Sequence, residues 1–236
     1  MWFLLILTGC VEPLVEEIQI SGTLTEIDDA NSDALEDGQV ATYTIWDEEV
    51  DCVETDGSGQ FTVTAPASSS FFVQTHATDR VRTSFTGWSG VENMDLDPGV
   101  LWVRGSEDLE AIREEFAGCD GYDQQGAIVE GEVRVFLPVE QPVDELPLVT
   151  TASIEIMDAD DNSTTACYLD DEGLSDPEAT VTGETGRFAV FGLQAGLSWV
   201  TIEYTVDDDF ESSWEYPILL PENGTAPMYP VLVELP

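Results

Sequence analysis

The side chains able to do chemistry are few and thinly spread along the chain. There is one histidine, His76, and there are four cysteines, Cys10, Cys52, Cys119 and Cys167. A lone histidine denies the sequence any zinc site built on two imidazoles, and it confines Ser-His-Asp or Cys-His catalysis to one position. His76 stands in FFVQTHATD, an alternating apolar pattern, so a strand position without catalytic duty is expected and no catalytic residue is assigned. The string Asp158-Ala159-Asp160-Asp161-Asn162 opens as an EF-hand loop would, but Ser163 stands where that loop needs glycine and Leu169 where it needs glutamate. An acidic turn between strands is therefore expected. Asp158, Asp160 and Asn162 are kept as weak calcium ligands, and no other cofactor is implied. Asp207-Asp208-Asp209 with Glu211 reads as a second acidic turn. Trp46, between Ile45 and Asp47, is the tryptophan best placed to stack on a sugar. Trp199 and Trp214 lie in apolar strand patterns and are assigned to the core.

The charge is lopsided. Forty-nine acidic residues face six basic ones, all arginine, for a formal net charge of -43. Such a surface repels phosphate backbones and offers no basic stripe to overcome the repulsion, which excludes nucleic acid as a partner. The carboxylates are scattered rather than gathered at ligand spacing, so they read as a solvated face of the kind salt adaptation produces, with cation binding as the alternative. With 42% hydrophobic residues spread along the chain, there is apolar material for real cores and no general case for disorder.

The N-terminus is an address. The apolar run from Trp2 to Leu7 is too short to span a bilayer, which takes about 20 residues. Followed by Thr8, Gly9 and Cys10, it resembles the lipobox of bacterial lipoproteins. That resemblance implies a signal peptide over 1–9, acylation of Cys10, a tether over 10–16 and anchoring in a bacterial envelope membrane, the outer one favoured. No Lys or Arg precedes the run, a departure from the usual signal peptide.

What the anchor would present is a repeat. ISGTLTEI, Cys52, TDGSGQFTV, SFFVQTHA and Trp88 are followed in the same order by VEGEVRVF, Cys167, TGETGRFAV, LSWVTIEY and Trp214. Each block alternates apolar and polar residues or runs in β-branched and aromatic ones, between Gly, Asp, Ser and Pro clusters, which predicts strands and turns. Gly22, Thr55, Gly59, Phe61 and Val63, repeated as Gly131, Thr182, Gly186, Phe188 and Val190, resemble the carboxypeptidase regulatory-like domains. The resemblance implies an all-β chain of two tandem transthyretin-like antiparallel sandwiches, over 17–105 and 126–236. It implies a spacer or recognition module rather than an activity.

Ser106 to Phe116 breaks the β pattern. A Ser cap, acids in the first turn and Leu109, Ile112 and Phe116 on one stripe predict a short α-helix, within a linker over 106–125 that sets the angle between the sandwiches. Without Cys10, three cysteines remain, an odd number. Cys52 with Cys119 and Cys119 with Cys167 are both plausible bridges in an oxidising compartment. The first is favoured if Phe116 carries the helix back over the first sandwich. The function expected is thus non-enzymatic, an adhesion, scaffold or recognition module that binds protein or glycan; the alternative is a carbohydrate- or calcium-binding module.

Overall fold

A computed structural model describes residues 17–27, 33–136, 142, 145–207 and 210–234. Cys10 and the segments over 1–16 lie outside the described residues. Among the described residues no helix is long and apolar enough to cross a membrane.

The repeat seen in the sequence is a repeat of strand connections. In the first half β1 (Glu17–Glu26) pairs antiparallel with β4 (Gln60–Pro66) and parallel with the short β7 (Met94–Asp95) and β8 (Leu101–Val103). Opposite lie β3 (Glu49–Glu54), β2 (Gly38–Thr44), β5 (Ser70–Ala77) and β6 (Thr83–Ser89), in that order across the sheet. In the second half β9 (Ala127–Phe136) pairs antiparallel with β14 (Arg187–Leu193) and parallel with β17 (Thr225–Glu234). Opposite lie β11 (Ser163–Thr165), β10 (Ser153–Met157), β15 (Gly196–Asp207) and β16 (Phe210–Leu220). Two further strands, β12 (Cys167–Leu169) and β13 (Ser175–Asp176), extend the β14 side.

The shared motif residues do the same work in both halves. Gly22 registers with Phe61 and Gly131 with Phe188. A Cβ at Gly131 would stand 2.8 Å from the Phe188 ring and 2.5 Å from the Met228 carbonyl oxygen, so only glycine lets the ring lie across the strand. Thr55 accepts the Gly38 N–H at 2.9 Å and donates to the Leu35 carbonyl at 2.7 Å; Thr182 accepts the Ala152 N–H at 3.0 Å and donates to the Val149 carbonyl at 2.6 Å. In each half one buried hydroxyl thus ties the loop before the second sheet to the turn before the glycine-aromatic strand. Each half has its own apolar core between its sheets. One contains Ile20, Leu24, Phe61, Val63 and Phe71; the other contains Val129, Ile154, Phe188, Val200 and Ile218.

The halves are not beads on a linker. Thr225 of β17 pairs in parallel with Thr83 of β6, which fuses β3-β2-β5-β6 with β17-β9-β14-β12-β13 into one nine-stranded sheet. The Thr225 N–H donates to the Arg82 carbonyl at 2.9 Å, and a Cβ on Gly224 would meet that oxygen at 2.2 Å, so the close approach needs a glycine. Position 227 points its backbone the same way as Thr225, but Pro227 has no N–H, and the pairing with β6 ends after that rung. Arg104, just past β8, forms a buried ion pair with Glu130 of β9, and its guanidinium lies 4.8 Å from the centroid of the Trp102 ring. The sheet's two faces are covered on opposite sides. Thr75 and Val40 face β1 and β8, whereas Val129 and Val190 face β10, β15 and β16.

The helix α1 (Ser106–Glu115) corrects the sequence reading in three respects. Its N-cap is Gly105, whose N–H donates to the Asp108 carboxylate at 3.0 Å, and Ser106 is already helical. Its stripe packs on the second half, not the first: Ile112 and Phe116 bury against Ile128, Leu169, Ala189 and Phe191. It does not set the angle between the sandwiches either, because the shared sheet and the Arg104–Glu130 pair join them directly. Glu115 pairs with both terminal guanidinium nitrogens of Arg187 on β14, fixing the far end of the helix.

Candidate functional site

The disulfide joins Cys119 to Cys167, with Cα atoms 6.0 Å apart, and Cys52 is a free, exposed thiol. The favoured pairing of Cys52 with Cys119 is thus overturned in favour of the second candidate. The cause is a strand that changes sheets. Cys52 stays in β3 beside β2, but the chain after β11 crosses to β14, so Cys167 registers with Ala189 on the face where α1 lies. Burial and the carboxylates of Glu49 and Asp51 push the Cys52 thiol pKa up, against a smaller lowering by Arg82. Cys52 is accordingly a poor nucleophile at neutral pH.

The Asp158 loop is the turn between β10 and β11. Asp158 is 6% exposed, and one carboxylate oxygen accepts the N–H groups of Asp160 and Asn162, each at 3.0 Å. The Asn162 side-chain amide also donates to it, at 3.2 Å, and the Gln194 N–H reaches the second oxygen at 3.5 Å. Burial alone would raise the Asp158 pKa, but these donors together outweigh it and hold the carboxyl below its usual range. The same device recurs twice. Asp56 takes the N–H groups of Ser58 and Gln60, and Asp170 those of Glu172 and Leu174, always two and four residues on. The residue three places on has positive φ in every case: Gly59, Asp161 and Gly173. The EF-hand-like spelling is thus that of an Asx-capped hairpin turn. Asp208 and Asp209, in the second acidic turn, lie outside the described residues. Among the described residues no group of three or more His, Cys, Asp or Glu is placed to hold a metal ion.

Replacing Asp158 with Ala is expected to cost about 1–3 kcal/mol, because four donors lose a buried acceptor. A carboxyl held low contributes stability that is full above its unfolded pKa and is lost as the pH falls through its folded one. The difference between wild type and Asp158→Ala in urea melts should therefore shrink below about pH 4. Equal differences at neutral and acid pH would show that the carboxylate charge is not what the turn uses.

His76 lies near the end of β5 beside Gln39, half-buried. Desolvation, and then the nearby Arg82, lower its pKa, so the ring is neutral at pH 7. Trp46 is 71% exposed in the turn between β2 and β3, where Asp47 has positive φ. Trp199 and Trp214 are not core residues. Trp199 points outward from β15 and is 37% exposed. Trp214 lies on the inner face of β16 beyond the edge of the core, and is 41% exposed.

That edge forms an apolar depression. A groove of about 540 Å³ runs between β16 and the nine-stranded sheet, with Trp214 and Tyr216 above, Phe72, Thr86 and Gly87 below, and Met228 at its inner end. Sequence reasoning missed it, because its walls come from strands far apart in the chain. The one local signal was a tryptophan in a strand of mixed polarity, ESSWEYP.

The chain matches no protein-family model and no curated protein. Among solved structures it is similar to the TIE protein of Bacillus anthracis at 12% identity and a TM-score of 0.29, over 92% of this chain and 34% of that one. It thus spans about a third of the length of that protein. The shaft pilin SpaA of Lactobacillus rhamnosus GG is similar at 12% identity and a TM-score of 0.28, over 94% of this chain and 100% of that one. A minor pilin of Streptococcus agalactiae is similar at 10% identity and a TM-score of 0.29, over 93% of this chain and 97% of that one. Superpositions at this level do not define a shared fold.

Proposed function

We propose that the chain is a non-enzymatic scaffold or recognition module of a bacterial cell envelope, held at a membrane by a lipidated Cys10. It presents two transthyretin-like sandwiches of the kind found in carboxypeptidase regulatory-like repeats. The observation that carries this reading is the fusion of the two repeated units through β6 and β17 into one nine-stranded sheet. Two units that share a sheet hold their loops in a fixed relation, which suits presentation at a distance from a surface. From Val11 to Glu17 the tether reaches at most about 25 Å, so the first unit sits near the membrane.

Intact-mass spectrometry of membrane-extracted protein, with and without reduction, tests the anchor and the compartment together. The expected mass is that of a chain cleaved before Cys10 and carrying acyl groups, gaining one pair of hydrogens on reduction. An unprocessed mass with every thiol free would overturn the reading. The exposure of Trp46 supports a second reading, a carbohydrate-binding module. Glycan-array binding that disappears in Trp46→Ala is its expected signature, and a calcium requirement would appear as melting that shifts with calcium at matched ionic strength.

A further inference from the structure

The groove beside β16 sets an unfinished strand edge beside an apolar surface. β16 pairs with β15 from Phe210 to Leu220, and no strand among the described residues pairs with its other edge. An unpaired edge of this length presents a row of free backbone groups. Beneath it, Phe72, Gln74 and His76 of β5 belong to the face turned away from β1 and β8, where Phe72 and Gln74 are buried and His76 is half-buried. The two meet at the groove, whose lining is mostly apolar and whose floor is open at Gly87, where a Cβ would meet nothing within 4 Å. The Tyr216 hydroxyl reaches the Met228 sulfur, a weak acceptor, at 3.9 Å.

The molecule already fills the equivalent edge once. β6 holds in the first half the place that β16 holds in the second, next to β5 as β16 is next to β15, and its edge receives β17 in parallel at one rung, Thr225 with Thr83. The occupant's chemistry follows from the surroundings. Side chains entering the groove meet Phe72, Trp214 and Met228, so they are apolar. Those on the opposite face of an added strand lie beside exposed Glu215 on a chain of net charge -43, so they are basic. Pro217, which has no N–H, removes a rung and favours pairing along Ser212 to Tyr216.

We infer that this groove binds an extended segment of a partner protein as an added strand along β16, with alternating apolar and basic residues. Such a site would supply the recognition role proposed above. Binding in solution is measured without membrane or anchor, so either reading can fail without the other.

The probe is a synthetic alternating valine–lysine peptide of about eight residues, a common strand length. Its control has the same length and charge but carries prolines that forbid strand pairing. Both are titrated into the purified, disulfide-intact protein at about 0.15 M salt, where exposed charges are screened beyond about 8 Å. The expected result is binding of the first peptide with amide shifts concentrated in β16, and about tenfold or weaker binding of the second. Trp214→Ala, which removes a wall, and Thr86→Arg, which puts bulk and like charge in the groove, should each weaken the first peptide about tenfold while leaving the circular dichroism spectrum unchanged. Equal affinity for both peptides would mean attraction by charge alone and would overturn the inference. Binding without β16 shifts would overturn it too, as would self-association that shuts the peptide out, since the groove would then belong to a second copy.

Discussion

Glu130→Gln is expected to destabilise the protein by about 3–5 kcal/mol, because it takes a carboxylate charge away from beside the buried Arg104 guanidinium. Glu130 is 1% exposed and Arg104 9% exposed, and the pair spans the junction between the two halves. For a chain of this size the midpoint of thermal unfolding should fall by about 10 °C. Two controls separate the buried charge from charge in general. Glu26→Gln, which breaks the more exposed pair with Arg80 at 2.6 Å, should cost about 1 kcal/mol or less. Replacing Arg104 with Met together with Glu130 with Leu should recover most of the loss, since a well-packed apolar pair can match a buried ion pair. A loss of equal size for Glu26→Gln and Glu130→Gln would refute the assignment of Arg104–Glu130 as the electrostatic joint between the halves.

Removing the disulfide is the second large effect expected. Cys119 and Cys167 are 48 residues apart in sequence, and closing a loop of that length stabilises by about 4 kcal/mol in the chain-entropy picture. Engineered and native bridges usually deliver about 2–4 kcal/mol. The double substitution of Cys119 and Cys167 by Ala should lower the denaturation midpoint accordingly and free α1 first, because its narrow stripe of Leu109, Ile112 and Phe116 and the Glu115–Arg187 pair would then hold it without a covalent tie nearby. Amide exchange would show this as faster exchange in the helix than in β9. Cys52→Ser, on an exposed edge strand, should change stability by no more than about 0.5 kcal/mol. A marked loss in Cys52→Ser, with none in the double variant, would reverse the pairing.

What could be read from the sequence was whatever local pattern dictates. Gly22 with Phe61 and Gly131 with Phe188 stand at fixed places in a strand-turn-strand motif, and Thr55 and Thr182 sit at matching positions before it, so the repeat was visible as spelling before it was visible as strands. The Asp158 loop was legible as a turn because side-chain capping acts within four residues. The rest depended on contacts that no local pattern encodes. β12 leaves the sheet its counterpart in the first half occupies, and that move alone decides which cysteine Cys119 meets. The Thr83↔Thr225 rung joins residues from opposite halves, and the groove at Trp214 exists only because that rung sets β5 and β6 beneath β16. Trp199 and Trp214 looked like core residues since their strands are apolar on the whole; their exposure depends on which face each side chain takes and on where the opposing sheet ends.

The parallel pairing of β9 and β17 has a mechanical consequence. A load applied between the start of β1 and the end of β17 enters β9 at Ala127 and leaves through the far end of β17. The two strands are then drawn past one another along their length. All eight registered pairs between Thr225↔Ile128 and Glu234↔Phe136 bear that shear at once, whereas strands peeled apart sideways would lose them singly. Resistance to pulling is governed by the rate of crossing the unfolding barrier rather than by equilibrium stability. Under tension the strand that locks the two units together should therefore be among the last to yield.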